Sequence, residues 1–398
     1  MQKKKILVIG PGMDLGGVER SLIGLIDSFD YEKVDVDLFL FQHIGSLMKQ
    51  INKNVNLLPE NRIVANGYKH IKELLFNGNF LSTFLKCISL IIGKINRSYR
   101  KTGDDGKDAY QRIISRFIKI NNKNYDLALG FIDPHYILLN SINSKVKIGW
   151  MHTDWQTIGS HSGTTIASDM WEPLDYIACV SEGVKKSFDY IFPQLSSKSI
   201  VIENILPTKY VQHLAHAFIP ETEMPRDKFN ILSVGRFSPP KNFHNAILCS
   251  KALHDAGINC RWYFIGYGPL ENELKSLIKT IGAEDYAIIL GKKDNPYPYM
   301  KWCDLYVQPS NYEGKSITVR EAQALAKPVL ITNYPTATSQ LTNGIDGRIC
   351  DLSNEAIVND IKFLIKNKEY RNRLSENCRQ QYFSGKDEIQ KILNLSLI

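Results

Sequence analysis

The chain opens on polar residues, Gln2-Lys3-Lys4-Lys5, which give way to the unbroken apolar run Ile6-Leu7-Val8-Ile9 and then Gly10. A short apolar run closed by a turn residue predicts a strand buried on both faces. After the turn Pro11–Gly17, the apolar residues Leu22, Ile23, Leu25 and Ile26 take helical spacing. The alternation of buried strand and amphipathic helix then recurs. Strands are predicted over 34–41, 55–58, 125–130, 145–150, 175–180 and 199–203. Residues 218–228 carry Pro220, Pro225 and mixed charge and read as a linker. The pattern restarts at Asn230, with further strands over 261–266, 287–290, 305–307, 328–332 and 347–350. Strand–helix alternation of this kind predicts an α/β chain with two doubly wound domains. The first spans 1–217 and the second 229–384, facing each other across a cleft that is the default ligand site. A last helix at 385–398 has no strand to pair with and is expected to cross back onto the first domain.

Composition changes this picture little. The 398 residues are 43% apolar and 23% charged, ordinary for a globular protein and enough for two cores. The cysteine count is odd, seven, with no Cys-x-x-Cys pair, which argues against a disulfide framework or structural zinc and for a reducing compartment. The first apolar run is too short for a signal peptide, and no stretch approaches the roughly 20 apolar residues of a spanning helix.

Charge changes it more. The net charge is +8, and the segment 62–119 alone holds twelve basic residues against four acidic ones. Within it, Phe80–Lys94 is apolar but interrupted by Lys86, and Arg97-Ser98-Tyr99-Arg100-Lys101 follows. One reading is a basic amphipathic helix on an anionic bilayer, with 80–119 as the contact. The other is a helix packed on the sheet with solvated lysines. Thr102–Gly106 is expected to be an exposed loop.

Candidate chemistry gathers at predicted strand ends. Glu313 follows the strand at 305–307, and Glu321 lies on the helix behind it, around the helix start Ser316-Ile317-Thr318. N–H groups at a helix start attract phosphate, and an ionised carboxylate accepts hydrogen bonds from sugar hydroxyls. The plainer alternative is a solvated helix with two ordinary glutamates. Gly16-Gly17 open the first helix and allow a bulky ligand close to the backbone, or form a plain tight turn. Gly10 and Gly12 begin a dinucleotide fingerprint, but its third glycine would fall at Leu15. His152 ends the strand at 145–150, where open α/β sheets place their sites, or is a satisfied structural histidine. Asp35-Val36-Asp37 resembles a metal-binding Asp-x-Asp, but it lies inside a strand and is discounted.

Taken together, these motifs resemble retaining, nucleotide-sugar-dependent glycosyltransferases of family 4, which have the GT-B fold. Glu313 and Glu321, seven residues apart, match the family's glutamate pair. Gly235-Arg236 and Lys241-Asn242 match its diphosphate clamp, Gly16-Gly17-Val18-Glu19 its N-domain glycine loop, and His152 its histidine near the donor sugar. The resemblance implies a hexosyltransferase-type enzyme with His152, Arg236, Lys241 and Glu313 in catalysis. It implies donor contacts at Gly16, Gly17, Gly235, Gly268, Ser316, Ile317, Thr318 and Glu321, with Glu321 on the ribose and Glu313 on the sugar. Arg236 offers a fork and Lys241 a point charge to the leaving diphosphate. No metal or cofactor is expected. One departure stands out: where the family often has Phe-Gly between the glutamates, this chain has Lys315-Ser316. Lys315 is expected to touch phosphate or point to solvent.

The expected partners are a nucleotide-sugar donor and a lipid-linked or oligosaccharide acceptor, at the inner face of the plasma membrane, in capsule or O-antigen assembly. No nucleic-acid recognition motif is present. The rival readings are a phosphorylase or nucleotide-sugar epimerase of the same fold, or a non-catalytic partner subunit.

Overall fold

The computed structural model describes residues 3–14, 16–96, 106–154, 168–380 and 385–396. Arg97, Arg100, Lys101, the loop 102–105 and Trp155 lie outside the described residues. Every strand pair among the described residues is parallel. Parallel neighbours need a crossover, and intervening helices supply it.

The chain divides into two units. The first comprises Met1–Ile205 with Gly385–Ile398, the second Leu206–Ser384. The first unit's strands are β1 (Lys4–Gly10), β2 (Val34–Leu40), β3 (Asn56–Leu57), β4 (Asn124–Gly130), β5 (Asn143–Met151), β6 (Tyr176–Cys179) and β7 (Ser199–Val201). They lie in the order β3-β2-β1-β4-β5-β6-β7. The order reverses between β1 and β4, and sites in such sheets lie at the carboxyl ends of the strands at that reversal. Ile6 to Ile9 are at most 2% exposed, as a central strand covered on both faces requires.

Five helices of this unit matter below: α1 (Gly17–Asp27), α2 (Arg62–Asn66), α3 (Ile71–Phe76), α4 (Phe80–Ile95) and α5 (Lys107–Ile114). The C-terminal helix Lys386–Leu395 belongs to this unit, where Glu388 accepts from the Glu203 amide at 2.9 Å and Ser396 from Lys4 at 2.7 Å.

The second unit's strands are β8 (Phe229–Val234), β9 (Cys260–Ile265), β10 (Ala287–Gly291), β11 (Leu305–Gln308), β12 (Val329–Thr332) and β13 (Arg348–Cys350). Their order is β10-β9-β8-β11-β12-β13, reversing between β8 and β11. The division between units falls ahead of the 218–228 stretch expected as a linker. The reason is packing: Leu206, Val211, Ala215 and Met224 are buried in the second unit's own core. Trp302 also donates to the Met224 carbonyl at 2.7 Å.

Asp37 has a structural use in the first unit. It accepts from Asn56 at 2.6 Å, Lys123 at 2.7 Å and Tyr125 at 2.6 Å, joining β2 to the strands and turn around it. Burial pushes its carboxyl up, but these hydrogen bonds outweigh burial and hold it below the usual range.

Candidate functional site

The second unit brings Lys241 and Glu313 together at its reversal point. Lys241 ends a short 3-10 turn, Pro239–Lys241, in the loop after β8. Asn242 follows with φ 58°, the left-handed conformation that asparagine tolerates, and helix Phe243–Asp255 starts there. Glu313 lies in the loop after β11. The Lys241 ammonium donates to both Glu313 oxygens, at 2.6 and 2.8 Å. The two loops are also joined through backbone, since the Asn311 amide donates to the Pro240 carbonyl at 2.8 Å.

A buried polar network holds Glu313 from behind. Its Oε1 accepts from Ser310 at 2.6 Å and from Gln308 at 3.2 Å. Its carbonyl accepts from the Thr336 hydroxyl at 2.7 Å. Gln308 is fully buried. Its amide also donates to Ser310, while its oxygen accepts from Tyr306 at 2.8 Å and Thr318 at 3.2 Å. One glutamine thus links the β11 end, the glutamate loop and the start of helix Ile317–Ala324. An ammonium has three protons, and Glu313 takes two of them. Glu313 Oε1 accepts from three groups among the described residues, and Oε2 from Lys241 alone. Among the described residues, one ammonium proton and the second lone pair of Oε2 have no further hydrogen-bond partner.

Glu321 lies on helix Ile317–Ala324, fully buried, and accepts from the Tyr297 hydroxyl at 2.8 Å. Glu313 and Glu321 act on a common group: Tyr306 is fully buried, and after burial itself both carboxylates push its hydroxyl toward the neutral form. At the head of the helix, Ser316 makes no side-chain cap. Its hydroxyl meets Thr318 at 3.0 Å, and its amide donates to the Gln340 side chain at 2.7 Å. The first turn of the helix, which begins with the amides of Ile317 and Thr318, therefore has no cap from the Ser316 side chain. Lys315 is buried, 8% exposed, so it does not point to solvent.

Arg236 is exposed beyond β8. The turn carrying it packs tightly on the turn after β9. A β-carbon at Gly266 would lie 1.9 Å from the Gly235 carbonyl oxygen, and one at Gly268 2.4 Å from that of Phe237. Only glycine lets these two turns approach so closely. Gly268 thus has a packing role beside its expected donor contact.

In the first unit, Gly16 precedes α1, and a β-carbon there would lie 2.1 Å from a Glu19 carboxylate oxygen. Gly17 is the first residue of α1 and is exposed. Burial pushes the Glu19 carboxyl up, and nearby Asp14 adds to that. His152, just past β5, has its Nε2 2.8 Å from the Phe131 carbonyl, and its ring meets the Phe131 ring edge-on at 4.9 Å. Burial pushes its pKa down to about 4, against that hydrogen bond. His135 also sits at this sheet end. Its buried ring covers Gly130 and Gly149, which pair across β4 and β5. It meets Trp171 edge-on at 4.8 Å, and burial pushes its pKa down to about 3.

Sequence reasoning missed Gln308, Ser310, Tyr297, Tyr306, Thr336 and His135. The one available signal was Gln308, a polar residue at the end of an otherwise apolar strand. Among the described residues, no group of three or more His, Cys, Asp or Glu is placed to hold a metal ion.

Residues 200–381 match the family model of glycosyl transferases group 1. Over 160 residues the chain is 30% identical to the N-acetylgalactosamine-N,N'-diacetylbacillosaminyl-diphospho-undecaprenol 4-alpha-N-acetylgalactosaminyltransferase of Campylobacter jejuni, covering 39% of this chain and 43% of that one. Over 173 residues it is 24% identical to the UDP-Gal:alpha-D-GlcNAc-diphosphoundecaprenol alpha-1,3-galactosyltransferase of Escherichia coli, covering 42% and 44%. The chain spans under half the length of these curated relatives. The solved structure of Anabaena HepE in complex with UDP-glucose matches with a TM-score of 0.69 at 16% identity, over 99% of this chain and 100% of that one. That likeness establishes the fold: GT-B, with two Rossmann-like parallel-sheet units.

Proposed function

We propose that this protein transfers a sugar, with retention of anomeric configuration, from a nucleotide-diphosphate donor to a lipid-linked saccharide in cell-surface polysaccharide assembly. The observation that carries the reading is the Lys241–Glu313 pair at the reversal point of the second sheet. Breaking the bond between the anomeric carbon and the diphosphate leaves negative charge on the diphosphate. Lys241, fixed by Glu313, and the exposed Arg236 answer it as cations, together with the first amides of helix Ile317–Ala324. Glu313 Oε2, which accepts from Lys241, has a second lone pair for a sugar hydroxyl. Glu321 takes the ribose, and His152 contacts the donor sugar. Gly16 and Gly17 let the donor approach α1. In this reading cationic side chains neutralise the leaving group without a metal.

The two curated relatives described above are named for diphospho-undecaprenol acceptors, which supports a lipid-linked acceptor here and a place at the cytoplasmic membrane face. The test pairs a panel of UDP-, GDP- and dTDP-sugars with polyprenyl-diphosphate-linked sugar acceptors and reads released nucleotide and product. One donor giving a glycoside with the donor's own anomeric configuration is the expected result. An inverted product removes retention. Sugar release that requires inorganic phosphate marks a phosphorylase, and isomerised nucleotide-sugar marks an epimerase. Donor binding without turnover on any acceptor marks a binding subunit.

A further inference from the structure

Helix α4 faces the wrong way for a helix of a soluble domain. A surface helix ordinarily turns its apolar side to the core. In α4 the buried residues are Ser82, Thr83, Ser89 and Gly93. Phe80, Leu81, Phe84, Leu90, Ile91 and Ile95 are exposed, Phe80 by 72% and Phe84 by 63%. Lys86, the one charge between Phe80 and Gly93, turns inward. Its ammonium donates to the Gly67 carbonyl at 2.8 Å and to that of Lys69. Ser82 likewise faces inward, accepting from Asn66 at 3.0 Å. Small and polar groups hold α4 to the end of α2 and the turn after it, Leu85 packs against the first unit's core, and α5 lies alongside, while an apolar stripe is left outward.

Two further aromatic side chains of the segment are exposed. Phe76, at the end of α3, is 96% exposed. Phe117 is 82% exposed between Arg116 and Lys119, both exposed. Exposed cations accompany these apolar groups at Lys72 and Lys94, and Glu73 is the one acidic residue described between 71 and 96. An apolar stripe running the length of a 16-residue helix, roughly 24 Å, is a surface that something covers. A second copy of this chain would bring one basic segment against another, which like charges oppose. No described helix is long and apolar enough to cross a membrane. A helix lying in the plane of an anionic leaflet satisfies both the stripe and the cations.

We infer that α4 is a membrane-seated helix, with Phe80, Phe84, Ile91 and Ile95 toward the acyl chains of an anionic bilayer and the exposed Lys72, Lys94, Arg116 and Lys119 at its headgroups. This deepens the proposed function, and rests on it, only in giving the membrane a purpose: a lipid-linked acceptor lies in the same plane. Vesicle binding is measured without donor or acceptor, so the two proposals fail separately.

Cys87 lies on the same exposed side, and the other six cysteines are buried. An environment-sensitive thiol probe on Cys87 of the full chain reports directly on the stripe. The expected result is a blue shift with phosphatidylcholine vesicles containing phosphatidylglycerol, quenched by brominated acyl chains and weakened by salt. The unlabelled variant Phe80→Ser/Phe84→Ser/Ile91→Ser is expected to lose about tenfold or more in co-sedimentation with those vesicles, with its circular dichroism unchanged. No probe response to any vesicle overturns the inference, as does unchanged co-sedimentation of the triple variant. A lipid-free blue shift that grows with protein concentration also overturns it, since a second copy then covers the helix.

Discussion

Lys241 and Glu313, 72 residues apart in sequence, form a two-pronged ion pair at 2.6 and 2.8 Å. Their side chains are 21% and 9% exposed. Adjacent strands of one sheet, β8 and β11, supply the two loops. The pairing keeps a cation fixed before any ligand arrives, and a preorganised cation needs little rearrangement when charge develops beside it.

Replacing Lys241 with Ala is expected to lower turnover by roughly a hundredfold or more, the scale of losing one transition-state donor. It also leaves Glu313 without its counter-charge, at a stability cost of about 1–3 kcal/mol. Arg236 is exposed and holds up no buried group, so Arg236→Ala is expected to lower turnover on a similar scale with an unchanged melting temperature. Kinetics and thermal denaturation of both variants check this. Near-normal rates would remove the two residues from catalysis.

Gln308 gives a prediction about positioning. Gln308→Leu removes the group that joins Tyr306, Ser310, Glu313 and Thr318. Several buried polar groups then lose a partner, which costs about 1–3 kcal/mol each where unsatisfied. Denaturant unfolding should show lowered stability. Donor KM is expected to rise more than kcat falls, because Gln308 touches no reacting atom. Gln308→Glu, which keeps acceptors but loses the amide donors toward Glu313, should not rescue.

Much of the fold was legible because many of the buried parallel strands are short apolar runs closed by glycine, proline or asparagine, as at Ile6–Gly10 and Asn230–Gly235. Glu313 and His152 were legible as candidates because each follows a predicted strand, whereas Lys241 entered through the family resemblance. The network behind Glu313 was not. Gln308 meets Thr318 and Tyr297 meets Glu321 only after helix and strand are packed, and residue type alone does not announce those partners. The direction of the α4 stripe was left open between two readings for a related reason. Spacing defines an apolar stripe but not which side meets water, and Lys86 turns to backbone carbonyls that the pattern does not display. The unit boundary shifted because Val211, Ala215 and Met224 pack into a core formed later in the chain.

The histidines give a pH prediction. Burial holds His152 down to about 4 and His135 to about 3. Both lie below the unfolded value of about 6.5, so on acidification the unfolded chain takes up protons first. Their contribution to stability is intact above about pH 6.5 and is lost as pH falls from there toward 4. Glu19 and Asp133, whose carboxyls burial raises, act in the opposite direction. The comparison of His152→Gln with the parent isolates one group. The variant's melting temperature should fall less between pH 7 and pH 5, and an identical fall would mean that His152 is not held neutral.

The proposed mechanism places fixed cations where many transferases place Mg²⁺. Activity is therefore expected to survive a chelator largely intact. Loss with chelator, and recovery on adding back a divalent ion, would show that a metal shares the neutralisation with Lys241 and Arg236.

The most direct test of the central claim is a calorimetric titration of UDP, GDP and dTDP, and of their sugar conjugates, into the parent chain and into Lys241→Ala and Glu321→Gln. Saturable one-site binding of one nucleotide series by the parent is expected. Lys241→Ala should weaken the diphosphates, and Glu321→Gln should weaken the ribose-bearing ligands. Binding of no nucleotide in any series, by a chain that is folded by circular dichroism, would contradict the account at its root.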